Sequence, residues 1–157
     1  MNPDRRLTII RGLPGTGKSA LANALMRASM DKHDSCSFLD INHVLYKVAV
    51  RDAGEAKGTI MLDPQKVKEV YEESRQMVDK AMSEDVPDII LVGSFLKVRH
   101  LDPFYALAAQ HGYVVSVITA HSYQSNPNRL PLKSLRRMSE LLEFPKTIIP
   151  ADLQVAG

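Results

Sequence analysis

Residues 12–19 read Gly-Leu-Pro-Gly-Thr-Gly-Lys-Ser, which is a complete GxxxxGK[ST] sequence. An apolar run at positions 7–10 precedes it, and a helical pattern begins near Lys18. The glycines at 12, 15 and 17 permit a tight turn whose backbone amides point inward and hold phosphate oxygens at the start of a helix. The stretch therefore predicts a nucleotide-phosphate site at the carboxyl end of a strand, and the flanking pattern disfavours a glycine-rich turn that binds nothing.

Two side chains of this loop have expected roles in binding the nucleotide. Lys18 should bridge the β- and γ-phosphates, and the Ser19 hydroxyl should bind Mg²⁺. The residues that we expect to contact the nucleotide are Gly12, Leu13, Pro14, Gly15, Thr16, Gly17, Lys18, Ser19 and Ala20, together with Arg136 from the C-terminal part of the chain.

Length and composition predict one globular domain over residues 1–157. The chain has 45% hydrophobic and 24% charged residues, which are ordinary globular values, and no repeat or linker-like segment. No apolar run approaches the roughly 20 residues needed to span a bilayer, so we expect a soluble, cytoplasmic protein without a membrane partner. Cys36 is the single cysteine, for which we predict a packing role, and no Cys/His spacing suggests zinc.

Strand and helix patterns alternate along the chain. Proline and glycine mark several boundaries, including Asp63-Pro64, Asp102-Pro103 and Gly112. This alternation predicts a parallel sheet with helices on both faces. Strands are predicted at 7–11, 35–40, 88–93 and 113–119, a short edge strand at 147–149, and helices at 18–30, 42–51, 63–85, 102–111 and 131–144.

Apolar side chains at helical spacing predict which faces of two helices are buried. On the first helix these are Leu21, Ala24, Leu25 and Ala28. On the long helix they are Val67, Val70, Tyr71, Met77, Val78 and Ala81.

Several stretches beyond the loop carry a family pattern. They are Ile9-Ile10-Arg11 before the loop, Leu62-Asp63-Pro64, His111-Gly112-Tyr113, Asn126, Leu130-Pro131-Leu132 and Leu135-Arg136-Arg137-Met138. In these stretches the chain resembles, over nearly its whole length, the polynucleotide-kinase-like P-loop kinases, which are relatives of zeta-toxin and adenylate kinases and include DNA-modification kinases.

The resemblance implies a P-loop three-layer α/β sandwich, with a lid at about 121–137, and a kinase that uses ATP and Mg²⁺. Three functional positions of that family differ here. The family's paired aspartates after the second strand fall on Asn42 and His43, and the third strand ends in Gly93-Ser94-Phe95 instead of an Asp-rich motif. The usual lid-arginine position falls on Ser125, with Arg129 displaced toward Pro131.

Asp40 is the carboxylate best placed for catalysis, because it follows the second strand where ligands bind in open α/β sheets. It could accept the acceptor's proton or hold Mg²⁺ through water, and its alternative role is to cap the next helix. His43 is a possible substitute base or a polar residue at the start of that helix. Asn42 could orient a hydroxyl.

The C-terminal part of the chain has more basic than acidic side chains. Residues 97–146 contain seven basic and three acidic side chains, whereas residues 52–88 contain five basic and ten acidic ones. This surface could contact nucleic acid or be a solvated face of mixed charge. Arg129, Arg136 and Arg137 are candidates for the lid and for leaving-group stabilisation, although Arg136 and Arg137 cannot both face one site. Lys97 and Arg99 follow the third strand, and Tyr123 could stack on a base.

The leading functional hypothesis is an ATP-dependent kinase that acts on a hydroxyl of nucleic acid, either a 5′-hydroxyl or a hydroxymethylated base. Ser94, Lys97 and Arg99 would then lie on the acceptor side, with Asn42 and His43. Phe95 could pack against a flipped base or belong to the core. The alternatives are a small-molecule or nucleotide kinase, and a nucleotide-binding module that transfers nothing.

Overall fold

The computed structural model describes residues 4–13, 15–41, 43–45, 63–120 and 132–143. The four predicted strands that fall in these ranges are confirmed to within a residue or two. The elements are β1 (Arg6–Gly12), α1 (Lys18–Lys32), β2 (Cys36–Asp40), α2 (Pro64–Ser83), β3 (Asp88–Gly93), a 3₁₀ turn (Val98–Leu101), α3 (Asp102–His111), β4 (Val114–Ala120) and α4 (Leu132–Leu141).

The four strands form one parallel sheet in the order β2-β3-β1-β4. The strand that carries the phosphate loop is therefore flanked by β3 and β4, and Ile10 is in register with Val92 on one side and with Ile118 on the other. Because all strands are parallel, their carboxyl ends meet at one edge, next to the loop. The predicted α/β fold class is confirmed.

Alternate residues of the central strands face two different layers. Leu7, Ile9 and Leu91 are buried beneath α2 and α3, whereas Ile10 and Val92 are buried beneath α1. Strands that are buried on both faces read as continuous apolar runs, which is why β1 and β3 lack the alternation of a half-exposed strand. The predicted layers of helices on both faces are present.

The helix boundaries follow their capping residues. The Asp63 side chain accepts a hydrogen bond from the Gln65 backbone N–H at 2.9 Å, and Pro64 occupies the first turn of α2. Gly112, with φ of 76°, ends α3 in the left-handed conformation that favours glycine.

The predicted buried face of α1 is wrong at three of its four residues, since only Leu25 packs against the core. Leu21 is 37% exposed, and Ala24 and Ala28 are exposed, whereas Ala22 and Ser29 are buried. The rotation of α1 is set by Lys18, whose buried side chain points into the phosphate loop, so the residues that follow Lys18 at helical spacing face the sheet.

The prediction for α2 holds apart from one residue. Val70, Val78 and Ala81 are buried, whereas Met77 is 55% exposed. Residues 43–45 are helical, as predicted, and the helix already includes residue 41. Three other predictions lie outside the described residues, namely the rest of the 42–51 helix, most of the lid and the 147–149 strand. Among the helices that the structure describes, none is both long and apolar enough to cross a membrane.

Candidate active site

The phosphate loop starts where β1 meets β4. Gly12 has φ of 141°, and a Cβ atom at this position would lie 2.5 Å from the backbone oxygen of Ala120, the last residue of β4. Backbone cannot yield as a flexible side chain can, so glycine is required. Gly15 and Gly17 also have positive φ, of 80° and 79°. All three glycines thus have positive φ, which a tight turn at these positions requires, and α1 begins directly after Gly17.

Lys18 lies inside the loop. Its side chain is buried, and its Nζ donates hydrogen bonds to the backbone oxygens of Gly12 at 2.8 Å and Leu13 at 2.6 Å. The Thr16 hydroxyl donates to the same Leu13 oxygen at 2.7 Å. Burial lowers the pKa of Lys18 to about 8, and the negative charge of Asp40 opposes part of this effect.

Ser19 and Asp40 are in direct contact. The Ser19 hydroxyl donates to Asp40 Oδ2 at 2.6 Å, and the other carboxylate oxygen, Oδ1, accepts from the His43 backbone N–H at 3.0 Å. Asp40 thus caps the helical residues that follow it and also faces the phosphate loop, so both predicted roles are compatible. The strand register explains this contact between Ser19 and Asp40. Asp40 is paired with Val92, and Val92 is paired with Ile10, so the end of β2 lies level with the end of β1 that leads into the loop.

This pair suits Mg²⁺, which prefers oxygen ligands and is usually bound by one or two carboxylates together with substrate phosphates. Ser19 Oγ and the Asp40 carboxylate supply such oxygens at the mouth of the loop. In the part of the chain that the structure describes, no group of three or more His, Cys, Asp or Glu side chains could form a cage for a metal. A Mg²⁺ ion held by Ser19 and Asp40 would take further oxygen ligands from the nucleotide phosphates and from water.

Among the described residues, the side chains of His43, Arg136 and Arg137 make no hydrogen bond or ion pair with Lys18, Ser19 or Asp40. The His43 side chain is exposed, and its contact with Asp40 is made by its backbone. Ala20, Arg136 and Arg137 are also exposed. Pro14, Asn42, Tyr123, Ser125 and Arg129 lie outside the described residues.

Residues 94–97 follow β3 and form what we call the β3 turn. The backbone oxygen of Ser94 accepts a hydrogen bond from the Gly12 N–H at 3.2 Å, so the turn is joined to the first residue of the phosphate loop. Ser94 itself is buried. The β3 turn and the phosphate loop are thus joined directly by a backbone hydrogen bond.

Phe95 is a core residue. Its side chain is fully buried, and its ring makes edge-to-face contacts with Tyr71 and Phe104 at centroid distances of 5.4 and 5.6 Å. Packing of a flipped base against this ring is therefore not available. A Cβ on Gly93 would lie 2.7 Å from Cε2 of the ring, which explains the glycine that ends β3.

Phe95 also has an unusual backbone. Its φ of 42° lies in the left-handed region, where a bulky side chain is a genuine outlier. Such conformations cost of the order of 1–3 kcal/mol and persist only where the surrounding structure holds them.

The side chain that contacts this turn is Arg11, for which the sequence predicted no role beyond its place in the family pattern. It is fully buried, and its Nε and Nη2 donate to the Phe95 oxygen at 2.9 and 2.7 Å. Nη2 also donates to the Leu96 oxygen at 3.1 Å, and Nη1 to the Thr119 hydroxyl at 3.2 Å. The available signal was an arginine at the end of an otherwise apolar central strand.

A cavity of about 790 Å³, here called the α2 cavity, lies beside the β3 turn. This volume is in the range of small-molecule sites. One wall is a face of α2, and the other is the turn and the start of α3. The lining residues are Pro64, Val67, Lys68, Tyr71, Glu72, Arg75, Ser94, Phe95, Leu96, Arg99, His100, Pro103 and Phe104.

The rim of the α2 cavity is cationic. Arg75 pairs with Glu72 at 2.9 Å, whereas Lys68 and Arg99 are exposed and lie in no ion pair among the described residues. Burial, and then the charge of Arg99, lowers the pKa of His100, so this imidazole is neutral near pH 7. Lys97, on the neighbouring surface, pairs with Glu143 at 3.4 Å.

Comparison with known proteins places this geometry in a family. The family model described as AAA domain (AAA_33) matches residues 7–142, from β1 through α4. The chain belongs to the AAA_33 family. No curated protein matches the sequence of this AAA_33 domain.

Solved structures share the fold of this AAA_33 domain. A gluconokinase from Sinorhizobium meliloti 1021 has a TM-score of 0.63 at 15% identity, over 92% of this chain and 79% of that chain. The Pnkp1/Rnl/Hen1 complex gives 0.56 at 15% identity, over 98% of this chain and 45% of that chain. The Mycobacterium tuberculosis APS kinase CysC, solved with AMPPNP and APS, gives 0.51 at 17% identity, over 87% and 69%.

The chain spans less than two thirds of some of the proteins that it matches, with 61% in one solved structure and 45% in the Pnkp1/Rnl/Hen1 complex. At these identities the likeness establishes the fold, a P-loop kinase-like α/β sandwich.

Proposed function

We propose that this protein is a phosphotransferase that moves the γ-phosphoryl group of ATP to a hydroxyl acceptor. The observation that carries the proposal is the meeting of a buried Lys18 with the Ser19–Asp40 pair, where Ser19 Oγ lies 2.6 Å from Asp40 Oδ2. This arrangement places one cation and one carboxylate at the mouth of a phosphate loop, and phosphoryl transfer needs both kinds of group.

Each of these residues has a definite task in the reaction. The Lys18 ammonium balances the negative charge of the β- and γ-phosphates, and the loop amides orient them. Mg²⁺, when bound by Ser19 and Asp40 with the phosphates, supplies further charge neutralisation. Asp40 orients the acceptor hydroxyl or takes its proton, and Arg129 is the proposed lid cation.

The acceptor approaches from the side of the β3 turn in this proposal. Ser94 lines the α2 cavity and is bonded through its backbone oxygen to Gly12 at 3.2 Å, so a molecule in the cavity would adjoin the phosphate loop. Arg99 on the rim, and Lys97 beside it, would meet an anionic part of the acceptor.

We propose that the acceptor is a hydroxyl of nucleic acid, either a 5′-hydroxyl or the hydroxyl of a hydroxymethylated base. Support comes from the cations after β3 and from the exposed Arg136 and Arg137 on α4. The α2 cavity favours the second candidate, a small-molecule or nucleotide kinase, because its volume of about 790 Å³ suits a compact acceptor.

The test is transfer of labelled phosphate from [γ-³²P]ATP to a panel of 5′-hydroxyl DNA and RNA, hydroxymethylated DNA, nucleosides and sugars. We expect transfer to a nucleic acid, and loss of that transfer in Lys18→Ala with near-native melting. Transfer only to small acceptors would support the second candidate. Tight ATP binding without transfer to any member would indicate a nucleotide-binding module and contradict the proposal.

A further inference from the structure

Arg11 is a buried cation whose pKa is lowered by burial, and the negative charge of Glu143 opposes part of this effect. Its side chain is fully buried, and among the residues that the structure describes no carboxylate lies within ion-pair distance of its guanidinium. A buried charge is costly unless hydrogen bonds satisfy it. Its donors are used on three contacts with backbone oxygens and one with the Thr119 hydroxyl.

The backbone oxygens that Arg11 contacts belong to the β3 turn. Two donors converge on Phe95, at 2.7 and 2.9 Å, and one reaches Leu96 at 3.1 Å. A planar guanidinium offers its donors in a fixed fork and so orients the carbonyls that it contacts more rigidly than a lysine ammonium, whose three donors rotate. Phe95 is the residue whose φ of 42° needs such support.

The same turn is joined to two other parts of the site. Ser94 accepts from Gly12 of the phosphate loop at 3.2 Å, and Leu96 accepts from the backbone N–H of Glu143, just after α4, at 2.7 Å. Lys97 reinforces the second junction through its ion pair with Glu143. The turn is thus the meeting point of the loop, the α2 cavity and the end of α4.

We infer that Arg11 is a positioning residue, which holds the β3 turn in the conformation that forms the wall of the α2 cavity beside the phosphate loop. The kinetic part of this inference rests on the proposed function, because it takes the cavity as the acceptor side. The structural part depends only on the contacts of Arg11.

Nucleotide binding should be largely independent of this role. The Arg11 side chain reaches Phe95, Leu96 and Thr119, none of which belongs to the phosphate loop. The loop is shaped by its own glycines and by the bonds of Lys18. Loss of the guanidinium should therefore loosen the acceptor wall and leave the ATP site in place.

The test compares Arg11→Met and Arg11→Lys with Arg6→Met, which makes the same change at the exposed other end of β1. Hydrogen exchange should become about tenfold faster in the β3 turn of Arg11→Met, and less so in Arg11→Lys, because carbonyls lose their donors. Exchange in the β3 strand and the Kd for ATP should change less than about threefold. Arg6→Met should resemble the wild type throughout.

Where the panel identifies an acceptor, its KM should rise about tenfold in Arg11→Met with kcat nearly constant, since an effect on acceptor binding alone appears in KM. If Arg11→Met does not fold, the same measurements are made on Arg11→Lys and compared with the wild type. An unchanged β3 turn, faster exchange spread equally over the sheet, or a loosened turn with an unaltered acceptor KM would overturn the inference. Absence of any transfer would defeat the proposed function, while the exchange and ATP measurements would still decide the structural role.

Discussion

The pKa of Lys18 makes ATP binding depend on pH in a calculable way. Burial lowers this pKa to about 8, so about nine-tenths of the side chains are protonated at pH 7 and about one-tenth at pH 9. Bound phosphates favour the charged ammonium and hold it protonated. Binding of ATP therefore takes up protons as the pH rises through 8, where free Lys18 is only half protonated. The affinity for ATP should consequently fall about tenfold between pH 7 and pH 9.

Calorimetric titration with ATP at saturating Mg²⁺ measures this effect twice. The Kd should rise with pH as stated, and at pH 8 the heat measured in buffers of different ionisation enthalpy should report uptake of about half a proton per ATP. Lys18→Met is the control, and it should bind ATP weakly without proton uptake. Equal ATP affinity of the wild type at pH 7 and pH 9, with no proton uptake at pH 8, would refute the reasoning.

Three further predictions test other parts of the site. Asp40→Asn should keep ATP binding but slow transfer about 10²- to 10⁴-fold, with a smaller effect for His43→Ala; the reverse order in steady-state rates would make His43 the base. Gly93→Ala should destabilise the fold by about 1–3 kcal/mol in urea denaturation, because the new methyl meets the Phe95 ring, and an unchanged midpoint would show that the ring can move. Replacing Lys97 and Arg99 together should flatten the salt dependence of KM for a DNA acceptor between about 50 and 200 mM. The change in slope should correspond to the loss of at most two phosphate contacts, mostly that of Arg99, because Lys97 is ion-paired. A KM of the wild type that does not depend on salt would argue against a nucleic-acid acceptor. The matched control replaces Lys32 and Lys80, which lie on the opposite edge of the sheet.

Much of the fold was predictable because its signals are local. The residues of a strand, a cap or a phosphate loop are neighbours in sequence, and so the patterns at 12–19, 63–64 and 112 identify their structures directly. The Ser19–Asp40 pair was foreseeable as well, since both residues follow strands whose carboxyl ends meet at one edge of the sheet.

The contacts of Arg11 and the backbone of Phe95 were not predicted because they depend on residues that are distant in sequence. Arg11 contacts Phe95 and Thr119, which are 84 and 108 positions away, and a single sequence gives no sign of either contact. The left-handed backbone of Phe95 contradicts ordinary residue preference, and only its surroundings explain it. The buried face of α1 was mispredicted because hydrophobic periodicity cannot know that Lys18 sets the rotation of the helix.

The central place of β1 has a consequence for synthesis of the chain. This strand is made first, yet both its neighbours come late, since Arg6 pairs with Asp88 and with Val114. At about 5–20 residues per second, roughly 5–20 s pass on the ribosome before β4 is complete. Until β3 has been made, Ile9 and Ile10, which have no exposed surface in the folded sheet, have no strand to pair with, and the β4 side of β1 stays open for the whole interval. Nascent chains that end before residue 114 should therefore engage chaperones, because β1 then lacks the strand that pairs with it from Arg6 to Gly12.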